Sequence, residues 1–217
     1  MRAPPSRCRP RSPERRAVAA RLGGAVVFGA LGVLGNLGLA SGANAAGFDL
    51  GALTALLARS PAGEARFTEN RTVRVLDQTL TSSGRLSYRA PDVFVRETLE
   101  PWPEKLAVDG NTLTLSRGGR TRTMQLDASP EATVIVEAIR GTLTGNRATL
   151  ERIFETAVRG DATRWTLELT PRDARLRGQV ASVRVTGSES TVREIQVLLP
   201  DGDRSVMTIV PVGPARR

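Results

Sequence analysis

The chain has 217 residues, no histidine and one cysteine, Cys8, and its formal net charge is +9. Without histidine, and with no cysteine beyond Cys8, the sequence offers no Ser-His-Asp triad, no zinc ligand set and no thiol nucleophile in its main part. Residues 1–45 hold seven arginines and one acid, or +6, so that +3 is left for residues 46–217, too little for a surface that binds the phosphate backbone of a nucleic acid. We therefore expect no nucleic-acid partner, no metal, no cofactor and no enzymatic activity.

The N-terminal segment has the three parts of an export signal. An arginine-rich region ends at Arg21, an apolar stretch covers 22–39, and Ala43-Asn44-Ala45 is a small-residue cleavage site. The sequence predicts cleavage after Ala45, with residues 46–217 as one domain in the periplasm. An uncleaved membrane anchor is the alternative, but the six glycines of the apolar stretch favour a cleaved signal.

A short helix is predicted first, with Asp49 as its N-cap and an end at Ser60-Pro61. Alternating segments that indicate β-strands follow at 64–75, 79–89, 92–100, 104–108, 112–117 and 120–126. Turn sequences such as Asp109-Gly110-Asn111 separate several of them, which is typical of antiparallel hairpins.

Two helices are predicted next. The first begins near Ser129-Pro130-Glu131 and stops at Gly141. The second is NRATLERIFETAVRG, which carries apolar residues at helical spacing from Leu150 to Val158 and ends at Gly160.

Four further strands are predicted at 165–170, 180–186, 192–199 and 204–210. The fold class is therefore mainly β (α+β). We expect an incomplete antiparallel β-barrel, or strongly curved sheet, of about ten strands covered by a helical lid.

Three stretches, ARFTENRTV, SGRLSYRAPDVFVRE and EPWPEKLAVDGNTLTLS, resemble in their order and spacing the periplasmic lipoprotein-carrier (LolA) family and its relatives. That family shares an F-x-(Q/E) strand, a G-x-L-x-x-x-x-P strand turn and an apolar-x-DG-x-x-L hairpin. The resemblance extends from about residue 46 to 209. It implies a helix-capped incomplete barrel around a hydrophobic cavity, which accepts lipoprotein acyl chains from an inner-membrane ABC transporter and delivers them to an outer-membrane receptor.

The resemblance also assigns expected roles to the stretch that contains Pro91. It places Phe94 at the mouth of the cavity, with Val93 and Val95 on the other face or re-aimed by a bulge. Lipoprotein carriers usually have an arginine directly before this proline, which holds the lid closed. Here Ala90 occupies that position, and the arginine is one residue earlier, at Arg89. Arg89 is therefore the candidate for lid closure, although a shift of one residue along a strand turns the side chain to the opposite face of the sheet.

The candidate residues fall into two groups, and ordinary core packing is the competing interpretation for each. The cavity candidates are Phe67, Leu86, Tyr88, Phe94, Leu113, Leu115, Trp165 and Leu167. The lid candidates are Ile139, Leu143, Leu150, Ile153 and Phe154.

The main hypothesis is a monomeric periplasmic carrier that shields the acyl chains of a lipoprotein or another lipid between the inner and outer membranes. The alternative is a lipid-sensing regulatory or binding domain of the same fold. An enzyme that uses carboxylates, or a scaffold without ligand, would also be compatible with the sequence.

Overall fold

The computed structural model describes residues 47–60 and 62–213. Its helices are α1 (Leu50–Leu57), α2 (Pro130–Leu143), α3 (Arg147–Ile153) and α4 (Ala174–Arg177). Its strands are β1 (Ala62–Val73), β2 (Gln78–Arg89), β3 (Val93–Glu100), β4 (Glu104–Asp109), β5 (Thr112–Arg117), β6 (Arg120–Gln125), β7 (Phe154–Asp161), β8 (Arg164–Pro171), β9 (Ser182–Ser188), β10 (Thr191–Leu198) and β11 (Arg204–Pro211). The predicted export signal and its cleavage point lie outside the described residues.

The strands form one antiparallel sheet in the order β6-β5-β4-β3-β2-β1-β11-β10-β9-β8-β7. The pairing of β1 with β11 places the first and last strands side by side at the centre, where Phe67 lies opposite Ile209. The sheet is open, because β6 and β7 are its two edges and do not pair with each other. The predicted fold class is thus confirmed, with eleven strands where about ten were expected.

The additional strand is β7, where the sequence predicted the second half of a helix. The helix α3 ends at Ile153, and Phe154–Asp161 pairs with β8 along its whole length. The prediction of a helix to Gly160 is therefore wrong, and Phe154 begins a strand and is not part of a helical lid. Phe154, Thr156 and Val158 also fit an alternating pattern, and pairing with the apolar strand β8 outweighs the local helical spacing.

The helix α2 is longer than predicted, because Gly141 lies inside it. A Cβ atom at Gly141 would lie only 2.7 Å from Leu150 Cδ2, so that this glycine permits close packing of α2 against α3. The chain turns instead at Gly145, whose φ of +63° is in the left-handed region that glycine adopts without strain.

The helices cover one face of the sheet, and the core lies between them. At the start of α1, Asp49 accepts a hydrogen bond of 2.8 Å from the Ala52 N–H, as expected for an N-cap. Buried side chains from α1, α2, α3 and the strands β7 to β11, β1 and β2 form the main cluster. A second, smaller cluster consists of Val108, Leu113 and Leu126, and Phe94 packs against both clusters.

The strand register explains why the segment after Pro91 is apolar on both faces. Leu86 lies opposite Arg96, and Tyr88 lies opposite Phe94. These four residues share the face that the helices cover, which we call the inner face. Val95 lies opposite Ser87 on the outer face, where it is only half-buried. Phe94 therefore serves the inner face, as the resemblance implied, while Val93 and Val95 belong to the outer one.

Candidate functional site: a groove beneath helix α2

Two adjacent cavities lie beside α2, and we call them together the α2 groove. The first lies between α2 and the inner face of the sheet, and the second continues from it toward the start of β1 and the ends of β2 and β11. The first has a volume of about 250 Å³ and the second of about 360 Å³. Ligand sites commonly have about 300–1,000 Å³, so that the second cavity falls within that range and the first just below it. Both cavities are lined by Leu86, Phe94, Ile139 and Ile195.

The local sequence positions these side chains from two sides. The alternation of β2 directs Leu86 and Tyr88 to the inner face, and their antiparallel partner β3 adds Phe94 beside them. From above, Val136, Ile139 and Leu143 follow one another at i, i+3 and i+7 in α2, so that they share one face of the helix. All three lie beside Phe94 and Tyr88 in a narrow space at the centre of the groove.

The structure brings together five of the thirteen predicted cavity and lid residues. Leu86, Tyr88, Phe94, Ile139 and Leu143 line the groove. The main core contains three of the cavity candidates, Phe67, Trp165 and Leu167. It also contains three of the residues predicted for the lid, Leu150, Ile153 and Phe154. Leu113 belongs to the small cluster, and Leu115 lies two residues further along β5, opposite Leu106. The role of these residues toward a ligand stays a prediction.

The assignment of lid closure to Arg89 needs a correction. Arg89 is exposed, and it lies opposite Val93 on the outer face of the sheet, away from α2. The neighbouring Tyr88 is the residue that faces the helix, because successive residues of a strand point to opposite faces. Arg89 is therefore not placed to hold the lid.

An arginine of the helix itself contacts the sheet. Arg140 donates from Nη2 to the carbonyl oxygen of Gly110, at 2.7 Å, and forms an ion pair with Glu137. Gly110 is in the β4–β5 turn, so that this contact, which we call the Arg140 latch, ties α2 to the sheet across the groove. Sequence reasoning missed it, because the partners are 30 positions apart and no local pattern connects the turn at Gly110 with α2.

A charged pair in the wall of the first cavity was also missed. Arg96 pairs with Glu69, and its guanidinium lies 4.9 Å from the centre of the Phe67 ring. The Glu69 carboxylate also accepts hydrogen bonds from the Ser205 and Ser82 hydroxyls. The alternation of β1 carries the signal, since Glu69 follows Phe67 by two positions and therefore shares its inner face.

Tyr88 brings a polar group into the centre of the groove. Its hydroxyl is buried and has no hydrogen-bond partner among the described residues. Burial raises the pKa of Tyr88 above its ordinary value, although the nearby Arg140 acts in the opposite direction. The phenol is therefore neutral at physiological pH and presents a free donor beside α2.

The described residues show no sign of a metal centre or of a membrane-crossing helix. Within residues 47–60 and 62–213, no three His, Cys, Asp or Glu side chains are grouped so that they could hold a metal ion. In that same part of the chain, no helix is both long and apolar enough to cross a membrane.

The open antiparallel sheet and the helices that cover it leave a concave, mostly apolar groove beneath α2, the kind of space in which small ligands commonly bind. The sequence matches the family described as outer membrane lipoprotein carrier protein LolA-like over residues 42–213. The chain belongs to this family, whose members are binding or carrier proteins and not enzymes. Membership supports a general role in binding a lipid or lipoprotein, while no curated protein matches the sequence.

Several solved structures are similar to the chain at low identity. A LolA superfamily protein from Nitrosomonas europaea has a TM-score of 0.40 and 9% identity, with 72% of this chain and 87% of the other covered. A DUF1329 family protein from Desulfovibrio piger has a TM-score of 0.45 and 11% identity, with 78% and 94% covered. The MucA/MucB complex from Pseudomonas aeruginosa has a TM-score of 0.42 and 14% identity, with 76% and 56% covered.

Proposed function

We propose that this protein is a periplasmic carrier that takes up acyl chains of a lipoprotein or another lipid in the α2 groove and ferries them from the inner to the outer membrane. The observation that carries the proposal is the groove itself, in which Leu86, Phe94, Ile139 and Ile195 line both of the adjacent cavities. An inner-membrane ABC transporter as donor and an outer-membrane receptor as acceptor complete the proposal, on the strength of the family resemblance.

The physical task of such a carrier suits this site. Burial of an acyl chain contributes about 0.8 kcal/mol per CH₂ group, so that a long chain needs an apolar site of comparable strength in water. The same site must release its cargo, and release requires α2 to move away from the inner face, which the Arg140 latch opposes at the β4–β5 turn. The proposal includes export by cleavage after Ala45, with residues 46–217 as the single carrier domain.

The test is native mass spectrometry of the protein purified from a periplasmic extract, followed by lipid extraction. We expect one acyl lipid per protein, and an intact mass that corresponds to a chain beginning at Ala46. Phe94→Glu introduces a charge into the groove and should abolish lipid retention, because an unpaired charge in an apolar site is strongly disfavoured. The matched control is Val95→Glu, one residue away on the outer face, which should retain the lipid.

A protein that is empty and also fails to take up a fluorescent fatty acid would contradict the proposal. Equal loss of lipid in both glutamate variants would contradict it as well, because the groove and the outer face would then not differ. A lipid-bound protein that never transfers its cargo to acceptor vesicles would favour the sensor alternative.

A further inference from the structure

The first cavity has a polar wall that a purely hydrocarbon ligand does not require. Glu69 and Arg96 are largely buried there, with side-chain exposures of 14% and 27%. Removal of two charges from water carries a desolvation penalty that their attraction often fails to offset, and apolar side chains in their place are frequently as stable. A charged pair in this position therefore points to a polar group of the ligand.

The two partners differ in how completely their hydrogen-bonding groups are used. Both carboxylate oxygens of Glu69 accept hydrogen bonds, from Ser205 on one side and from Arg96 and Ser82 on the other. Arg96 has five N–H groups, and in the part of the chain that the structure describes its pairing with Glu69 accounts for one of them. The arginine, and not the glutamate, has donors left for a ligand.

Unpartnered polar atoms also concentrate in the groove. Among the described residues, two buried side-chain polar atoms lack a hydrogen-bond partner, Arg96 Nε and the Tyr88 hydroxyl. Buried polar groups are almost always hydrogen-bonded. Arg96 lines the first cavity and Tyr88 the second, so that both exceptions belong to the candidate binding site.

The charges around the two cavities are unequal. The first cavity is lined by three arginines, Arg71, Arg96 and Arg204, and by two glutamates, Glu69 and Glu131. Its lining therefore has one positive charge in excess. Arg71 follows Glu69 by two positions and therefore lies on the same face of β1. Of the charged residues, only Glu64 lines the second cavity. The groove thus has one end with several charged side chains and a net positive charge, and one end with a single glutamate.

We propose that the groove selects lipids with an anionic polar end, a phosphate or a carboxylate, which Arg96 and Arg71 bind in the first cavity while the acyl chain extends past Phe94 and Ile139 into the second. The inference rests on the proposed function and names its class of cargo. Arg96 is suited to this role, because a guanidinium donates in parallel to two oxygens of such a group.

The test compares a fluorescent fatty acid with its methyl ester on the full-length protein after export, at a mildly alkaline pH that ionises the acid. The chain is the same in both probes, and only the charge of the polar end differs. We expect the acid to bind at least about tenfold more tightly than the ester, the effect of one hydrogen bond to a charged group. Arg96→Met should weaken binding of the acid much more than binding of the ester, and so reduce this preference.

The matched control is Arg85→Met, which removes an exposed arginine from the outer face of β2 and should preserve the preference. Equal affinity of the unaltered protein for acid and ester would overturn the inference and leave the carrier function standing. Failure to bind either probe would refute the carrier function itself. Equal weakening of both probes by Arg96→Met would assign Arg96 a structural role and overturn the inference.

A last arm separates a lipid head group from a free anion. An excess of inorganic phosphate should not displace the bound fatty acid, because the acyl chain supplies most of its affinity. Displacement by phosphate alone would show a site for small anions and overturn the inference.

Discussion

The Arg140 latch allows a quantitative prediction about the opening of α2. Arg140→Met keeps most of the length of the side chain and removes the hydrogen bond to the Gly110 carbonyl and the ion pair with Glu137. The side chains of Arg140 and Glu137 are only 22% and 16% exposed, so that screening by solvent is limited. A hydrogen bond to a charged group contributes about 1.5–3 kcal/mol. We take about 2 kcal/mol, which corresponds to about a 30-fold change in the equilibrium between the closed and open lid.

The assay is hydrogen exchange of the α2 backbone amides, combined with the release rate of a bound fluorescent fatty acid. Exchange in 134–143 should accelerate about 30-fold, because opening of the lid exposes these amides, while exchange in β8 and β9 should not change. Release of the probe should accelerate in parallel.

Arg147→Met is the matched control. Arg147 forms an exposed ion pair with Glu151 in α3, and exposed pairs contribute only about 0–1 kcal/mol. Its effect on α2 exchange and on release should be within a factor of about five. If Arg140→Met leaves both quantities unchanged, or if it accelerates exchange equally throughout the sheet, the assignment of a latch is refuted.

The remaining predictions concern the pKa of Tyr88 and the packing of the core. Tyr88 is the only tyrosine of the chain, so tyrosinate absorbance reports it alone, and its midpoint should lie above the ordinary value of 10.0. The folded state holds the phenolic proton of Tyr88 more tightly than the unfolded state does, so this proton contributes to the free energy of unfolding. The contribution is complete below pH 10.0 and is lost as the pH rises through the folded pKa. Tyr88→Phe should remove this dependence of stability on pH. Gly187→Ala would place its Cβ 2.2 Å from Trp165 Cζ2. It should therefore lower the free energy of unfolding, measured in denaturant, by about 1–3 kcal/mol. Gly63→Ala is the control, because there is open space around Gly63, and it should leave this free energy unchanged. Asp49→Ala removes the N-cap of α1 and should cost about 1 kcal/mol in the same measurement.

Each of these predictions has a result that would contradict it. A tyrosinate midpoint at or below the ordinary value would contradict the prediction that burial outweighs the effect of Arg140 on the pKa of Tyr88. Equal unfolding curves for the two glycine variants would refute the close packing of Gly187, and an unchanged curve for Asp49→Ala would show that the cap contributes nothing to stability.

The alternating strands could be predicted from the sequence because each one carries its own local signal. The alternation in the predicted strand 79–89 puts Leu86 and Tyr88 on one face, and the structure places both on the inner face. The hairpin turn at Asp109-Gly110 was equally local, and Gly110 adopts the positive φ that such a turn requires.

The errors arose where a distant contact decides between two local patterns. From Phe154 to Val158 the apolar residues fit a helix and a strand equally, and only the pairing with β8 selects the strand. The Arg140 latch and the pair of Glu69 with Arg96 join segments 30 and 27 positions apart. No spacing rule connects such residues, because the topology of the sheet and the position of α2 bring them together.

The most direct test of the account is whether an acyl chain occupies the space beneath α2. In a Cys8→Ser background the chain has no other cysteine, so that Ile139→Cys provides a single thiol in the wall shared by both cavities. Val95→Cys provides the corresponding thiol on the outer face. We predict that saturation with a fatty acid slows maleimide labelling at position 139 and leaves it unchanged at position 95. Equal labelling at position 139 with and without bound fatty acid would contradict the account, because the lipid would then lie elsewhere on the protein.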